Sequence, residues 1–332
     1  MRLEIGRTQA HASYPGSYAK ATNMIDSSSP RCEEFIALRE KRPSTDKWPR
    51  FVRRSHRLEG KMPPSRSFVL RKALTASRLD LHYQPIIKIS TGRLIGFEAL
   101  IRLQGKQGVS ITPNEILPLF EKLDLMNSIG SWVIHHACHT ASRWPVGITV
   151  AVNIASAQFK NGDLYESVRS ALKESDLAPA RLELEVTEGV ALDDSYDALA
   201  QLAAVQSLGC CIAMDDFGTG HSSLTQLRLF PFDRIKVDRS FIHDLPESAK
   251  SLAILRAVIG LGRSLNIAVT AEGIETFAQM RMLAAEGCDS AQGYLIGKPM
   301  DSWESNQLLK RLLEASGLDK GAHFQMMAPA SE

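Results

Sequence analysis

Residues 211–242, CIAMDDFGTGHSSLTQLRLFPFDRIKVDRSFI, read as strand, loop, short helix and strand. The apolar run Cys211, Ile212, Ala213, Met214 stops at two adjacent carboxylates, Asp215 and Asp216. Phe217 to Gly220 then make a glycine-rich turn, and a second strand ends in Lys236 and Asp238. Two neighbouring acids at the end of a buried strand are costly unless something positive neutralises them. A divalent metal held by oxygen ligands does this directly. Taken alone, the pair also reads as a plain surface turn, since Asp is common in loops. The rest of the chain decides between the two.

Outward from this stretch the chain alternates. Strands are predicted over 79–89, 93–103, 148–155, 182–187, 211–217, 234–237, 267–272 and 291–296. Helices are predicted over 68–77, 114–123, 131–144, 162–175, 195–208, 222–229, 249–265, 276–286 and 302–316. Thr91-Gly92 turns the first strand back on the second as a hairpin. The later strands are apolar runs rather than strict alternations, as expected of parallel strands covered by helices. About eight strands with intervening helices in about 250 residues is the size of an α/β TIM-type barrel. A doubly wound open sheet competes, but no GxGxxG turn follows the first strand.

The chain has 332 residues, room for one large domain with tails or two smaller ones. Its net charge of +2 is unevenly spread: residues 1–66 carry 14 Lys and Arg against 7 Asp and Glu, a balance of +7, and the remainder stands at −5. Residues 1–66 are rich in Ser, Pro, Arg and Lys, with breaks at Ser27-Ser28-Ser29-Pro30, Arg42-Pro43 and Pro63-Pro64. They read as a flexible basic extension, with contact to anionic lipid or nucleic acid as the alternative. Met62 is a candidate second start of translation. Residues 67–316 form the expected folded domain and 317–332 a loose tail. The five cysteines, Cys32, Cys138, Cys210, Cys211 and Cys288, are odd in number and make no CxxC, so reduced thiols in a reducing compartment are expected. No apolar run approaches the roughly 18 residues of a membrane span, and the first residues lack the apolar core of a signal peptide. The expectation is a cytoplasmic protein with no membrane span and no evident DNA-binding domain.

Nearly every predicted strand carries a polar group that a core would reject. Glu98 lies on the second strand, Asn153 on the third, and Glu185 on the fourth with Glu188 just beyond. Asp215 and Asp216 end the fifth, Lys236 and Asp238 the sixth, Glu272 the seventh with Glu275 beyond, and Gln292 lies on the eighth. In a barrel the C-terminal strand ends share one face, so these scattered positions converge into an acidic cup. Glu98, Asn153, Glu185, Asp215 and Asp216 are all oxygen donors, a set that favours Mg²⁺ or Mn²⁺. Adjacent aspartates that lean toward different ions suggest two metals activating a water and polarising a phosphoryl oxygen. Lys236 is placed to orient an attacking water or to hold charge on a phosphate, and Glu272 to accept a proton. The chemistry these residues suggest is metal-dependent phosphodiester hydrolysis.

At these residues the chain resembles a known family. FEALIRL at 97–103 resembles the signature of the EAL-domain family, bacterial phosphodiesterases of cyclic di-GMP. Further ordered blocks agree: YQPI at 83–86, NIASAQF at 153–159, LELEVTE at 182–188, DDFGTG at 215–220, KVDRSFI at 236–242, AEGIET at 271–276 and QGYLIGKP at 292–299. The resemblance covers roughly residues 67–316. It implies a TIM-like (β/α)8 barrel with an antiparallel first strand, hydrolysis of cyclic di-GMP to linear pGpG, a requirement for Mg²⁺ or Mn²⁺ (two ions), inhibition by Ca²⁺, and a homodimer formed beside the DDFG loop. It places metal ligands at Glu98, Asn153, Glu185, Asp215 and Asp216, the essential lysine at Lys236 and the general base at Glu272. Gln84, Arg102 and Gln292 fall on positions that face the dinucleotide, Arg102 being suited to a phosphate. Glu188, which steadies the DDFG loop, Asp238 and Glu275 support the site; Glu188 and Asp238 also read as structural ion-pair partners. His221 stands where tyrosine is common, and Ala155 and Ala157 vary the third block. The alternative function is a cyclic di-GMP sensor that binds without turnover and acts through a protein partner. A phosphodiesterase for another nucleotide is a third reading.

Two other clusters have plainer readings. His135, His136, Cys138 and His139 share one predicted helix and make a poor zinc site without a ligand from elsewhere. Cys210-Cys211 reads as core packing, because adjacent cysteines rarely reach disulfide geometry. DFG also occurs in kinases, but no glycine-rich loop or HRD sequence accompanies it.

Overall fold

Short runs of aliphatic residues bounded by turns form the strands, and amphipathic stretches between them form the helices. The computed structural model describes residues 79–104, 110–111, 117–118, 120–121, 124–159, 164–188, 196–219 and 223–315. The strands are β1 (Leu79–Lys88), β2 (Arg93–Gln104), β3 (Ser110–Ile111), β4 (Thr149–Ile154), β5 (Leu182–Thr187), β6 (Cys211–Phe217), β7 (Arg234–Val237), β8 (Ala268–Ala271) and β9 (Ser290–Gln292). The helices are α1 (Met126–Ala141), α2 (Leu164–Ser175), α3 (Tyr196–Ser207), α4 (Ser223–Leu229), α5 (Ala249–Leu265), α6 (Phe277–Glu286) and α7 (Ser302–Ala315).

The sheet runs β1-β9-β8-β7-β6-β5-β4-β2, and β1 pairs again with β2, which closes it into an eight-stranded barrel. From β2 through β9 neighbouring strands are parallel, whereas β1 is antiparallel to both β2 and β9. This is the expected TIM-like barrel with its antiparallel first strand. β3 adds only a two-residue antiparallel pairing to the end of β2. The outer face of the hairpin is sealed by Trp144, whose ring meets Tyr83 edge-on at 5.3 Å and Phe97 at 4.9 Å.

Strand parity splits the barrel into two chemistries. Leu184, Val186, Ile212, Met214, Ile235 and Val237 are buried beneath the helices. Their alternating neighbours Glu183, Glu185, Asp215 and Lys236 are buried too. Lys236 on β7 reaches side chains on β2, β5, β6 and β8 within 4.0 Å. Only the interior of a closed barrel lets one side chain meet four strands on different sides. The inside is therefore polar, and the apolar core lies between the strands and the helices.

Helix boundaries follow local caps. Ser248 caps α5 by accepting the Ser251 N–H, and Asn266 ends it in the left-handed region at φ 56°. Thr276 and Gln279 form a capping box on α6, which Gly287 terminates at φ 74°. The strand boundaries predicted at 182–187, 211–217 and 234–237 match those observed. The helix predicted at 131–144 starts earlier, at Met126, after Leu125, which makes no side-chain cap. Of the helix predicted at 114–123, the described residues 117–118 and 120–121 are helical. The helix predicted at 68–77, the basic segment and the tail after 316 lie outside the described residues.

The last strand is shorter than predicted, 290–292 rather than 291–296. Beyond Gln292 the chain folds over Ile274 instead of continuing along β8. Ile274 N–H donates to Gln292 O at 3.1 Å, and Leu295 N–H donates to Ile274 O at 3.0 Å. Gly293 makes this crossing possible, since a Cβ there would lie 2.2 Å from both the nitrogen and the oxygen of Ile274. Gly293→Ala is expected to destabilise the protein by about 1–3 kcal/mol, the usual range for overpacking. Urea denaturation measures it; an unchanged midpoint would mean that the crossing relaxes freely.

Candidate active site

The cup is built around Lys236, a buried ammonium with 1% of its side chain exposed. Its Nζ lies 2.6 Å from Glu272 Oε1, 2.8 Å from Glu185 Oε1, 3.3 Å from Asp215 Oδ1 and 4.0 Å from Glu98 Oε2. Those four carboxylates come from β8's end, β5, β6 and β2. Asp216 joins them: oxygens of Asp215, Asp216 and Glu272 lie within 4.8 Å of one another.

The aspartate pair has a geometric problem to solve. In a regular strand, adjacent side chains point to opposite faces. Here the pairing of β6 with β7 slips between Met214 and Phe217. Asp216 also takes φ 56°, the left-handed region that a non-glycine residue seldom occupies. The irregularity re-aims the strand end, as a β-bulge does next to many active sites. Both carboxylates then face the cup, and Asp215 Oδ1 accepts the Asp216 N–H at 3.0 Å.

Glu98 is fixed at both oxygens. Asn153 Nδ2 donates to Oε1 at 2.6 Å and Gln292 Nε2 donates to Oε2 at 2.5 Å. Gln292 Nε2 also reaches Gln84 Oε1 at 3.2 Å, and Gln84 Nε2 donates to Gly297 O at 3.1 Å. The two glutamines expected to face a dinucleotide are thus buried and orient Glu98 in this geometry. Arg102, half-buried at the end of β2, donates Nη1 to Ile101 O at 2.9 Å. Burial lowers its pKa, while the fields of Tyr294 and Glu98 raise it. Tyr294 is exposed, with Lys298 Nζ 5.4 Å from its ring centre. This aromatic and cationic rim was not singled out in the sequence; QGYLIGKP contains it, but nothing in the spacing separates a rim tyrosine from a core one.

The supporting residues divide. Glu188 is buried, and its Oε1 accepts the Gly218 N–H at 2.7 Å, which anchors the DDFG turn. Gly218 sits at φ 93° with the Phe241 ring 2.9 Å from where a Cβ would be. Gln226 of α4, almost fully buried, donates from Nε2 to the Glu188 carbonyl and so ties the helix to the same turn. The sequence held no signal for Gln226, since a buried glutamine on a short helix looks like a surface one. Asp238 caps the turn Arg239–Phe241 by accepting the Ser240 N–H at 2.9 Å. Its charge also raises the pKa of Asp216. Glu275 is exposed on the rim, and its backbone N–H donates to Gln279 Oε1 at 2.9 Å. It is not within salt-bridge reach of Lys236.

The electrostatics show an excess of negative charge. Burial alone would depress the Lys236 ammonium, but Glu185, Glu272, Glu98 and Asp215 together lift it well above its usual value. Burial drives Glu185 well above the carboxylate range although Lys236 pulls it down. Burial likewise pushes Glu272 up to about 8 against the pull of Lys236. Asp216 is raised by burial first and by Asp215 second. An ammonium that holds its proton beside carboxyls that also hold theirs means that one cation does not neutralise five acids. Glu185 Oε2 is buried and accepts no hydrogen bond among the described residues. Oxygen-only donors, surplus charge and an orphaned buried carboxylate oxygen fit a hard divalent cation.

The other clusters are accounted for locally. His135 Nδ1 lies 2.8 Å from Ser131 O and its Nε2 3.1 Å from Ser170 Oγ. His136 stacks on Trp132 with ring centres 5.0 Å apart, and Arg143 approaches His139 Nε2 at 2.7 Å. Burial pushes the Cys138 and Cys210 thiols up to about 12, and Cys211 to about 11, so they are poor nucleophiles.

Comparison with known proteins agrees with the motifs. Residues 69–299 match the EAL domain. The chain is 43% identical over 235 residues to the bifunctional diguanylate cyclase/cyclic di-GMP phosphodiesterase MucR of Pseudomonas aeruginosa, covering 70% of this chain and 34% of that protein. It is 44% identical over 251 residues to the uncharacterized protein y4lL of Sinorhizobium fredii, covering 76% of this chain and 30% of that one. The chain thus spans about a third of the length of these curated relatives. Among solved structures, the c-di-GMP complex of PaMucR phosphodiesterase superposes with a TM-score of 0.68 at 41% identity, over 73% of this chain and 99% of that one. With the barrel, the ordered motifs and this match over most of the described residues, the chain belongs to the EAL domain family.

Proposed function

We propose that this protein hydrolyses one phosphodiester bond of cyclic di-GMP to give linear pGpG, with two Mg²⁺ or Mn²⁺ ions in the cup. The observation that carries the reading is the ring of Glu98, Glu185 and Asp215, which are buried, with the half-buried Asp216 and Glu272, around the buried Lys236. Glu98, Asn153, Glu185, Asp215 and Asp216 would hold the ions. Asn153 suits this, because its Nδ2 is committed to Glu98 and its carbonyl oxygen is left for a ligand. When bound, the ions supply the charge that polarises the phosphodiester and acidifies a water.

The chain's own groups then divide the work. Arg102 receives the dinucleotide at a phosphate, and the Gln84–Gln292 pair, expected to face it, holds Glu98 in place beside it. Lys236 holds negative charge on the phosphoryl oxygens as the water oxygen bonds to phosphorus. Glu272, beside Lys236 at the mouth of the cup, takes the proton lost by that water. The P–O3′ bond breaks, the 3′ oxygen collects a proton, and the 5′-phosphate stays with the product. Glu188, Asp238 and Glu275 support the loops around this centre.

The wider reading follows. Residues 67–316 form the catalytic domain, with 1–66 and 317–332 as extensions. Leu224 and Leu229 are exposed on α4, the helix tied to the DDFG turn through Gln226, and a homodimer covers them. Among the described residues no helix is long and apolar enough to cross a membrane; the protein works in the cytoplasm.

Purified protein with Mg²⁺ or Mn²⁺ is expected to convert cyclic di-GMP to pGpG, detected by chromatography. Binding without pGpG over hours would favour the non-catalytic sensor, and turnover of a different nucleotide alone would sink the substrate assignment. Glu98→Ala, Asp215→Ala and Glu272→Ala are each expected to lose about 100-fold or more of the turnover while retaining the barrel's circular dichroism. Full activity in any one of them would remove that residue from its role.

The raised pKa values of Glu185, Asp216 and Glu272 have a further consequence with a definite sign. A raised pKa means that the ion-free cup keeps protons which a cation must displace. Mn²⁺ affinity is therefore expected to weaken as pH falls from about 8 to about 6, with proton release on binding. Isothermal titration calorimetry in buffers of different ionisation enthalpy reads both; a pH-independent affinity would contradict the protonated cup.

A further inference from the structure

A second polar layer lies inside the barrel beneath the carboxylate ring. Arg234 Nε donates to Glu183 Oε2 at 2.8 Å. Its Nη1 donates to Thr270 Oγ1 and to Ser290 Oγ, each at 3.1 Å, and the two hydroxyl oxygens are 2.7 Å apart. Glu183, Thr270 and Ser290 are buried. None of these residues faces the mouth of the cup, and none belongs to the set the sequence singled out.

Their placement follows a rule. Each stands two residues before a residue of the cup: Glu183 below Glu185, Arg234 below Lys236, Thr270 below Glu272 just past the end of β8, and Ser290 below Gln292. Two residues along a strand is one repeat on the same face, roughly 7 Å. The barrel places β6 between β5 and β7, and β8 between β7 and β9. The Arg234–Glu183 pair therefore spans across β6, and the bond to Ser290 spans across β8. Ala213 on β6 is in register with both Glu185 and Arg234, so a methyl side chain leaves the first span open. The second span uses Thr270 as its middle member.

The cup above is demanding. Lys236 keeps distances of 2.6 to 4.0 Å to residues of four strands. Backbone ladders connect only adjacent strands, so small slips add up around the barrel. A guanidinium in a rigid fork, bonded to three strands besides its own, limits that sum. An ion pair kept for stability alone has no need of this alignment, because apolar residues of similar volume often do as well.

We propose that Arg234, with Glu183, Thr270 and Ser290, is a positioning layer that sets the relative heights of β5, β7, β8 and β9 so that Glu185, Lys236, Glu272 and Gln292 meet cation and substrate in one geometry. The inference rests on the metal-site reading of the cup. Groups that orient ligands in this way typically cost 10- to 100-fold in metal affinity or activity when removed.

The test compares Arg234→Met, Arg234→Lys and Ser290→Ala with Arg256→Met, which breaks an exposed bidentate pair to Glu286 between α5 and α6. Mn²⁺ affinity is read by calorimetry and thermal stability by circular dichroism. Arg234→Met is expected to bind Mn²⁺ about 10-fold or more weakly and to lose kcat rather than KM for cyclic di-GMP. Ser290→Ala shows a smaller loss in the same direction, Arg234→Lys recovers part of it, and Arg256→Met keeps wild-type affinity. Should Arg234→Met fail to fold, Ser290→Ala decides alone. Wild-type Mn²⁺ affinity in the folded variants overturns the positioning layer and leaves the metal reading intact. No Mn²⁺ binding by the wild-type protein overturns both.

Discussion

One ammonium group inside a closed barrel must answer for five carboxylates. That imbalance organises the site. Water cannot solvate Glu185 where it sits, and Lys236 cannot satisfy Glu98, Glu185, Asp215, Asp216 and Glu272 together. The remaining options are protons or cations. Burial raises Glu185 and Glu272 despite the pull of Lys236, so without a cation these two favour their protonated forms. A divalent cation at the same place converts an unfavourable burial into ligation, and the oxygen-only donor set suits Mg²⁺ or Mn²⁺. A site strained toward cation binding in this way is also poised to stabilise charge that develops on a phosphoryl group.

The barrel tolerates this arrangement because its apolar core lies outside the strands. Residues of one parity on β5, β6 and β7 pack under the helices, and those of the other parity build the polar interior. The bulge at Asp215–Asp216 lets two neighbours serve the same face. It ends at a turn held by Glu188 and, through Gln226, by α4. The proposed metal ligands, the loop and the proposed dimer helix are therefore mechanically continuous.

Much of this was legible in the sequence, for physical reasons. β5, β6 and β7 are short segments with clear breaks, so their ends were readable to the residue, and α5 carries its own cap signals. A polar residue on each strand predicted a convergent cup, and Lys236 does touch Glu98, Glu185, Asp215 and Glu272. What was not legible depends on three dimensions. Sequence cannot show that Asp215 and Asp216 share a face, since regular parity says the opposite. It cannot show that Gln84 and Gln292 spend their amides on one another and on Glu98. The last strand stops early because Gly293 crosses the Ile274 backbone, a contact between two strand ends that only the fold brings together. Arg234 carries no signal in the sequence, because its partners Glu183 and Ser290 lie on strands two places away in the barrel.

The most direct test of the account is anomalous diffraction from crystals grown with Mn²⁺. The account predicts two manganese peaks inside the cup, ligated by oxygens of Glu98, Asn153, Glu185, Asp215 and Asp216, with Lys236 still beside Glu272. A cup without manganese, with its carboxylates answered by Lys236 and protons alone, would contradict it.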